Sequence, residues 1–330
     1  MPSRLSIIIL VLLVTVAVLP GLLWISGTMR LSADRRRISA TAAFPMTVTD
    51  VRAMKITLPT PPKRIVSLAP NNTEILFAIG AGDRVVADTS YCDYPPEAAA
   101  LPKVGGYLDP NVEKVLALEP DLVLATRGTS RELLDRMTAL KLPVICLDPA
   151  SLPEMLDAVR FIGRVTDAAP AAAALAARLE ARYRAVTATV AALPEARRPS
   201  VLFLFSLDEL YSVGPGSHID AMITDAGGRN IAAAAAAPWP QLSMERVLAD
   251  DPEVIVVGTG GAMSATLTDA AALQHLRADR RWRGVRAVKT GRVAALDGDD
   301  MTLPAPRMVD GLEALARALH PTLFSTDAPP

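Results

Sequence analysis

Short apolar runs alternate with segments of helical periodicity from Arg64 onward. The runs include "RIVSLA", "DLVLAT" and "PVICLD", and the segments between them, such as "NTEILFAIGAG" and "RELLDRMTAL", place apolar residues at helical spacing. The alternation restarts at "SVLFLF" and continues to "PRMVDGLEALARAL". Such a pattern is typical of parallel sheets with helices on their faces. It predicts an α/β protein with two lobes.

A long helical stretch separates the two alternating regions. It begins near Pro170, a residue suited to the first helical turn, and ends before Pro194. One apolar stripe runs along it, formed by Leu175, Leu179, Val186, Val190 and Leu193. At 1.5 Å per residue the helix would be roughly 36 Å long. We expect either an ordinary core helix or, more specifically, a rigid connector between the lobes.

These patterns predict a domain organisation in four parts. They are a leader and linker (1–43), an N-terminal α/β lobe (44–150), connecting helices (151–198) and a C-terminal α/β lobe (199–325). We expect flavodoxin-like strand order in each lobe, with the second strand outermost beside the first. Cys92 and Cys146 would then lie at opposite edges of one sheet. Neighbouring strands are about 4.8 Å apart, so that separation exceeds disulfide reach.

The N-terminal segment Leu5–Ile25 carries no charge and is followed by several arginines. Its length suits a signal peptide or a membrane-spanning anchor, and both interpretations stay open. The protein is therefore expected to be periplasmic or extracytoplasmic, either secreted or anchored.

The composition narrows the range of functions. The chain has 330 residues, 51% hydrophobic and 21% charged, with a formal net charge of -1. These values fit a folded protein with a sizeable core. Lys and Arg are dispersed along the chain, which argues against a nucleic-acid partner, since that would require a basic face.

A similar ten-residue motif occurs once in each lobe. "NVEKVLALEP" begins at Asn111 and "SMERVLADDP" at Ser243, each with a residue that can cap a helix. Glu113 matches Glu245 in the first helical turn, where a carboxylate is favoured. The two following apolar pairs, Val115 with Leu116 and Val247 with Leu248, are expected to face the core. The glutamates either stabilise helix starts or present a matched acidic pair to one partner.

Large aromatic residues occur in the predicted loops. Tyr107 and Trp239 each stand four residues ahead of a helix cap, and Tyr91 and Tyr94 lie in "TSYCDYPPEA". Such rings are often edges of a core. Presented from loops of an α/β protein, they also suit a large, flat, partly apolar ligand.

Several of these sequence segments together resemble a known family. Two regions resemble the periplasmic binding proteins of ABC importers for corrinoids and ferric siderophores. The first runs from "RIVSLAPNNTEILFAIG" to "DLVLAT", and the second from "YSVGPGSHIDAMITDAGG" to "EVIVV". The motifs "SYCDYPP" and "PWPQLSMERVL" are most similar to the vitamin B12 binders in that family. The resemblance covers about 44–321 and implies two Rossmann-like lobes with parallel sheets, joined by a single long helix (class III).

The resemblance also implies roles for individual residues. Tyr91, Tyr107 and Trp239 fall where corrinoid binders have aromatic residues in the site. Glu113 and Glu245 fall where the family has one glutamate per lobe that docks onto a permease dimer. The chain would then be a monomeric solute receptor that has no cofactor and delivers a corrinoid to its permease.

The sequence departs from the corrinoid-binding pattern at several positions. Thr126 replaces a tryptophan, "GDDMTLPAPR" lacks expected aromatic residues, and His218 stands where an aromatic or aliphatic residue is usual. Haem or a ferric siderophore therefore remains an alternative ligand. His218 could bind the cleft ligand, even as an axial ligand to its metal, or lie at a helix start without a role.

The sequence gives only weak matches to catalytic motifs. Ser217 and His218 are adjacent in "GPGSH", an arrangement that does not match the strand-to-helix turn of hydrolases. The three histidines are dispersed along the chain, which argues against a three-histidine metal site. We therefore expect no enzyme, with an anchored sensor or an enzyme built on two such lobes as the remaining alternative.

Overall fold

The computed structural model describes residues 43–260 and 266–324, and the residues from Phe44 onward form one compact unit. The predicted signal or anchor lies outside these ranges. Within them, no helix is both long and apolar enough to cross a membrane. The predicted boundaries of leader, lobes and connector stay predictions.

The first lobe contains a four-stranded parallel sheet in the order β4-β3-β5-β6. The second strand of the lobe is outermost beside the first, as expected. The strands are β3 Ile65–Ser67, β4 Val85–Ala87, β5 Leu122–Thr126 and β6 Val144–Leu147. The helices are α1 Pro70–Ala78, α2 Pro96–Ala99, α3 Val112–Ala117 and α4 Arg131–Ala139.

The second lobe repeats this topology, with a parallel sheet in the order β10-β9-β7-β8. Its strands are β7 Ser200–Leu204, β8 Arg229–Asn230, β9 Val254–Thr259 and β10 Val293–Asp297. Its helices are α7 His218–Asp225, α8 Met244–Asp250, α9 Asp269–Ala278, α10 Arg286–Thr290, α11 Gly298–Thr302 and α12 Met308–Leu319. The two lobes are thus topological copies of each other.

Two packed helices, α5 Leu152–Val165 and α6 Ala169–Ala191, lie between the lobes in the chain. They approach closely at Gly163, where an added Cβ would come 2.2 Å from the Cβ of Ala172. The predicted stripe on α6 is buried at Leu175, Leu179, Val186 and Val190. Leu193 is only half-buried, because the helix ends two residues before it.

An antiparallel hairpin precedes the first lobe and was not predicted from the sequence. It pairs β1 Met46–Thr49 with β2 Lys55–Leu58. Ile56 and Leu58 join the main hydrophobic cluster, which also includes residues of both lobes and of α5 and α6. Two smaller clusters fill the other faces of the two sheets. The lobes therefore share one core along their inner faces.

Both cysteines are buried free thiols, as expected. Cys146 lies in the edge strand β6, and Cys92 lies in the turn after β4. Burial raises the pKa of Cys146 to about 11, which keeps its thiol protonated at neutral pH.

Candidate functional site

Tyr91 lies in the loop after β4 and leaves 45% of its surface exposed. Its ring makes an edge-on contact with that of Tyr107, with centroids 5.4 Å apart and planes at 82°. The hydroxyl of Thr129 donates to the carbonyl oxygen of Tyr107 at 3.0 Å, which holds the second ring's backbone. The structure therefore brings two predicted aromatic residues of the first lobe together.

The loop that carries Tyr91 is held by Lys103, a residue that the sequence did not single out. Its ammonium donates to Asp88 Oδ1 at 2.7 Å and to the carbonyl oxygens of Cys92 and Ala98 at 2.8 and 2.9 Å. Asp88 is fully buried, and burial raises its pKa to about 6. The local sequence signal for this role was a single lysine within the apolar segment "LPKVG".

Trp239 is presented by a loop whose backbone is fixed on both sides of the ring. Ser212 and Gly214 donate their amides to the carbonyl oxygens of Pro240 and Pro238, each at 2.9 Å. The indole remains 50% exposed, and its ring lies 5.8 Å from that of Phe205. A large aromatic surface is therefore held open to solvent by rigid backbone.

His218 lies behind Trp239, with ring centroids 6.2 Å apart. It is 7% exposed, and burial lowers its pKa to about 4, so the imidazole is neutral at pH 7. Its Nε2 lies 3.2 Å from the carbonyl oxygen of Met301, an acceptor, and therefore carries the proton. This contact with Met301 holds the imidazole in place behind the Trp239 ring.

An ion pair joins the lobes. The guanidinium of Arg307 donates to both oxygens of Glu74, at 2.7 and 3.1 Å, and Glu74 is 3% exposed. Arg307 also lies 3.7 Å from Asp299 and 3.5 Å from Asp300, and its Cζ is 4.3 Å from the centre of the Tyr94 ring. Burial raises the pKa of Glu74, and that of Asp300 to about 6.

A series of contacts, called the seam below, links the aromatic residues of the two lobes. Among the described residues no ring contact joins Tyr91 or Tyr107 directly to Trp239. The connection runs instead through neighbouring groups. Tyr94, in the same loop as Tyr91, contacts Arg307, which pairs with Asp300 of α11. The next residue of α11, Met301, contacts His218, whose ring lies against Trp239. Such a seam can hold a large, partly apolar ligand.

The repeated helices keep the predicted alignment. Asn111 caps α3 by accepting from the amide of Lys114, and Ser243 caps α8 by accepting from that of Arg246. Glu113 and Glu245 are both exposed in the first turns.

The two carboxylates differ in their partners. Glu113 pairs with Arg136 at 2.5 Å, whereas Glu245 has no ion-pair partner in the part of the chain that the structure describes. The expectation that both apolar residues of each helix face the core is wrong for one of each pair. Val115 and Val247 are fully buried, whereas Leu116 and Leu248 are 41% and 45% exposed.

Two α/β lobes with an aromatic seam define a class of solute-binding proteins. No group of three or more His, Cys, Asp or Glu side chains in the described ranges could hold a metal ion. The family model for "Periplasmic binding protein" matches residues 65–299, and the chain belongs to this family. The family confirms a solute-binding protein rather than an enzyme, which also removes the enzyme alternative.

Relatives agree with this assignment. The chain is 31% identical over 296 residues to an uncharacterized ABC transporter substrate-binding lipoprotein of Bacillus subtilis, covering 88% of this chain and 90% of the relative. It is 34% identical over 285 residues to a cobalamin-binding protein of Halobacterium salinarum, covering 85% and 75%. The substrate-binding role in ABC transport is thereby supported at the level of the family.

The fold is also that of a solved structure. The periplasmic heme-binding protein RhuT from Roseiflexus sp. RS-1, in apo form, matches with a TM-score of 0.68 and 30% identity, over 79% of this chain and 99% of that one. The predicted class III fold, with two parallel-sheet lobes joined by a long helix, is confirmed.

Proposed function

We propose that this protein binds cobalamin or a related corrinoid between its lobes and delivers it to an ABC permease outside the cytoplasmic membrane. In this role it is a monomer, secreted or held by its N-terminal segment. The observation that carries the proposal is the seam of solvent-exposed aromatic rings from both lobes, together with the relative named as a cobalamin-binding protein. Tyr91, Tyr107 and Trp239 would contact the ligand, with His218 supporting the indole.

The charge of the seam favours a corrinoid over haem or a ferric siderophore. Three carboxylates, those of Glu74, Asp299 and Asp300, lie within 4 Å of the single guanidinium of Arg307. Haem carries two propionates, which this excess of carboxylates over cations would repel. The amide side chains of a corrinoid can donate hydrogen bonds to carboxylates. Haem remains the second candidate, because the neighbouring fold with 30% identity is a heme-binding protein.

Calorimetry with cyanocobalamin and with hemin tests this choice. We expect cyanocobalamin to bind and hemin to bind at least tenfold more weakly. Trp239→Ala should weaken cobalamin binding by about 1–3 kcal/mol, the scale of losing one buried aromatic contact. Met54→Ala, which removes an exposed apolar side chain near the β1–β2 hairpin, is the matched control. Tight hemin binding with a shifted absorption band would replace the corrinoid by haem, and unchanged affinity in Trp239→Ala would remove this ring from the site.

We further propose that Glu113 and Glu245 dock onto basic residues of a permease dimer, one glutamate per half. Their matched positions in two topologically equivalent helices support this role. Reversing both charges to Arg should abolish cobalamin uptake and leave ligand affinity intact, because like charges across an interface cost several kcal/mol. Uptake that survives the double reversal would leave the glutamates as stabilisers of helix starts.

A further inference from the structure

Helices α3 and α8 expose the same apolar position. Leu116 follows the buried Val115, and Leu248 follows the buried Val247. One residue along a helix is a rotation of about 100°, which carries the leucine out of the core and towards solvent. Each leucine is three residues after a glutamate, and residues at this spacing are neighbours on a helix surface. Each lobe therefore presents a carboxylate beside an isobutyl group.

This pairing differs from the scattered apolar exposure that is normal on any protein surface. It occurs twice, at equivalent positions of helices with equivalent caps, and on the same side of each helix as the glutamate. In each helix the core position is already filled by a valine. Leu248 also packs one methyl against Gly284, but both leucines leave more than two fifths of their surface exposed.

We propose that Leu116 and Leu248 are the apolar anchors of the permease-docking surface. This inference rests on the proposed docking role of Glu113 and Glu245. The occupant is a permease dimer, each half of which offers a basic side chain beside an apolar recess. Charge complementarity with the acidic glutamates and the twofold repetition of the surface both fit such a partner.

The physical role of the leucines follows from the weakness of exposed ion pairs. A solvent-exposed pair contributes little, because water and salt screen it and because both side chains lose freedom. Glu113 is moreover already paired with Arg136, so a permease cation gains less there than it would from a free carboxylate. An apolar residue buried beside the pair excludes water from it, as the rims of binding hot spots do. The leucines would therefore contribute affinity for the permease that does not weaken at high salt.

Binding of the full chain to its permease in lipid nanodiscs tests the proposal. The permease is first isolated with the tagged wild-type chain, and affinities are then measured by interferometry at low and high salt. We expect Leu116→Ala and Leu248→Ala each to weaken docking about fivefold or more, and the double variant about 25-fold or more, with most of that loss retained at high salt. Leu140→Ala, an equally exposed leucine after α4, should dock like the wild type.

The controls separate this inference from the docking role of the glutamates. Cyanocobalamin affinity should be unchanged in the leucine variants and their thermal unfolding should remain cooperative, because each side chain leaves more than two fifths of its surface exposed. If the double leucine variant docks normally while Glu113→Arg with Glu245→Arg does not, the leucine anchors are refuted and the glutamate role stands. If both double variants dock normally, the whole surface is refuted. If sedimentation shows a wild-type dimer that the leucine variant loses, the occupant is a second copy of this chain, which overturns the proposal.

Discussion

Replacing Arg307 by Met tests how the two lobes are joined at the seam. Methionine keeps much of the length and packing of the arginine stem but removes the guanidinium that binds both oxygens of Glu74. Glu74 would then be a carboxyl group that is 3% exposed and has lost its cation. A buried carboxylate without a partner is strongly destabilising, and it relieves this cost by taking up a proton.

Proton uptake sets a ceiling on the part of the lost stability that comes from Glu74. The ordinary pKa of the glutamate is 4.5, which is the value that the unfolded chain retains. Holding the carboxyl protonated at pH 7 therefore costs about 3.4 kcal/mol, at 1.36 kcal/mol per pH unit. At pH 5 the same cost is only about 0.7 kcal/mol. The folded-state pKa is raised, so the destabilisation must grow as the pH rises.

Urea unfolding of wild type and Arg307→Met at several pH values between 5 and 7.5 measures this effect. We expect the difference in unfolding free energy to increase as the pH rises from 5 to 7. The part due to Glu74 should stay below about 3.4 kcal/mol at pH 7, because the raised pKa of Glu74 means that the wild type already carries part of this cost. Adding Glu74→Gln to the variant removes one titrating group and should reduce the pH dependence. The remaining slope then comes from Asp299 and Asp300, which also lose the guanidinium. A difference that does not vary with pH, or a double variant with the same slope as the single one, would refute the reasoning.

Three further outcomes follow from the site. Lys103→Met should cost about 3–5 kcal/mol in urea unfolding, because it leaves Asp88 buried without its cation; a loss below 1 kcal/mol would contradict this. Asp300 has a pKa raised to about 6, so its contribution to stability is present below pH 4 and lost as the pH rises through 6. The stability of Asp300→Asn relative to the wild type should therefore increase as the pH rises from 4 to 7, by at most about 3 kcal/mol, and a difference that does not change over that range would refute the assignment. X-ray scattering should show little contraction on adding cyanocobalamin, whereas a strong contraction would indicate a wide hinge.

The sheet order and the connecting helix could be predicted because both depend on local patterns. Alternating apolar runs and helical segments restrict the topology to a few choices, and unbroken periodicity from Pro170 predicts one long helix. The end of that helix was missed by two residues at Leu193, since helix boundaries depend on how the last turn meets its surroundings.

The seam could be predicted only in part. Exposed aromatic residues in proline-rich loops gave a local signal, and Trp239 lies in such a loop. The Glu74–Arg307 pair gave none, because its partners are 233 residues apart and a glutamate on a helix is usually exposed. The burial of Leu116 and Leu248 was predicted wrongly for a related reason. In a short helix with two adjacent apolar residues, only the packing decides which one faces the core.

The merging of the two inner-face cores through α5 and α6 bears on how the molecule matures. Its largest apolar cluster contains Ile65, near the start of the first lobe, and Leu319, at the end of α12. Synthesis of the first lobe alone cannot complete that cluster. The nascent chain therefore lacks part of its main core until almost its whole length has left the ribosome. The two lobes are therefore expected to reach their stable form together, and not one after the other.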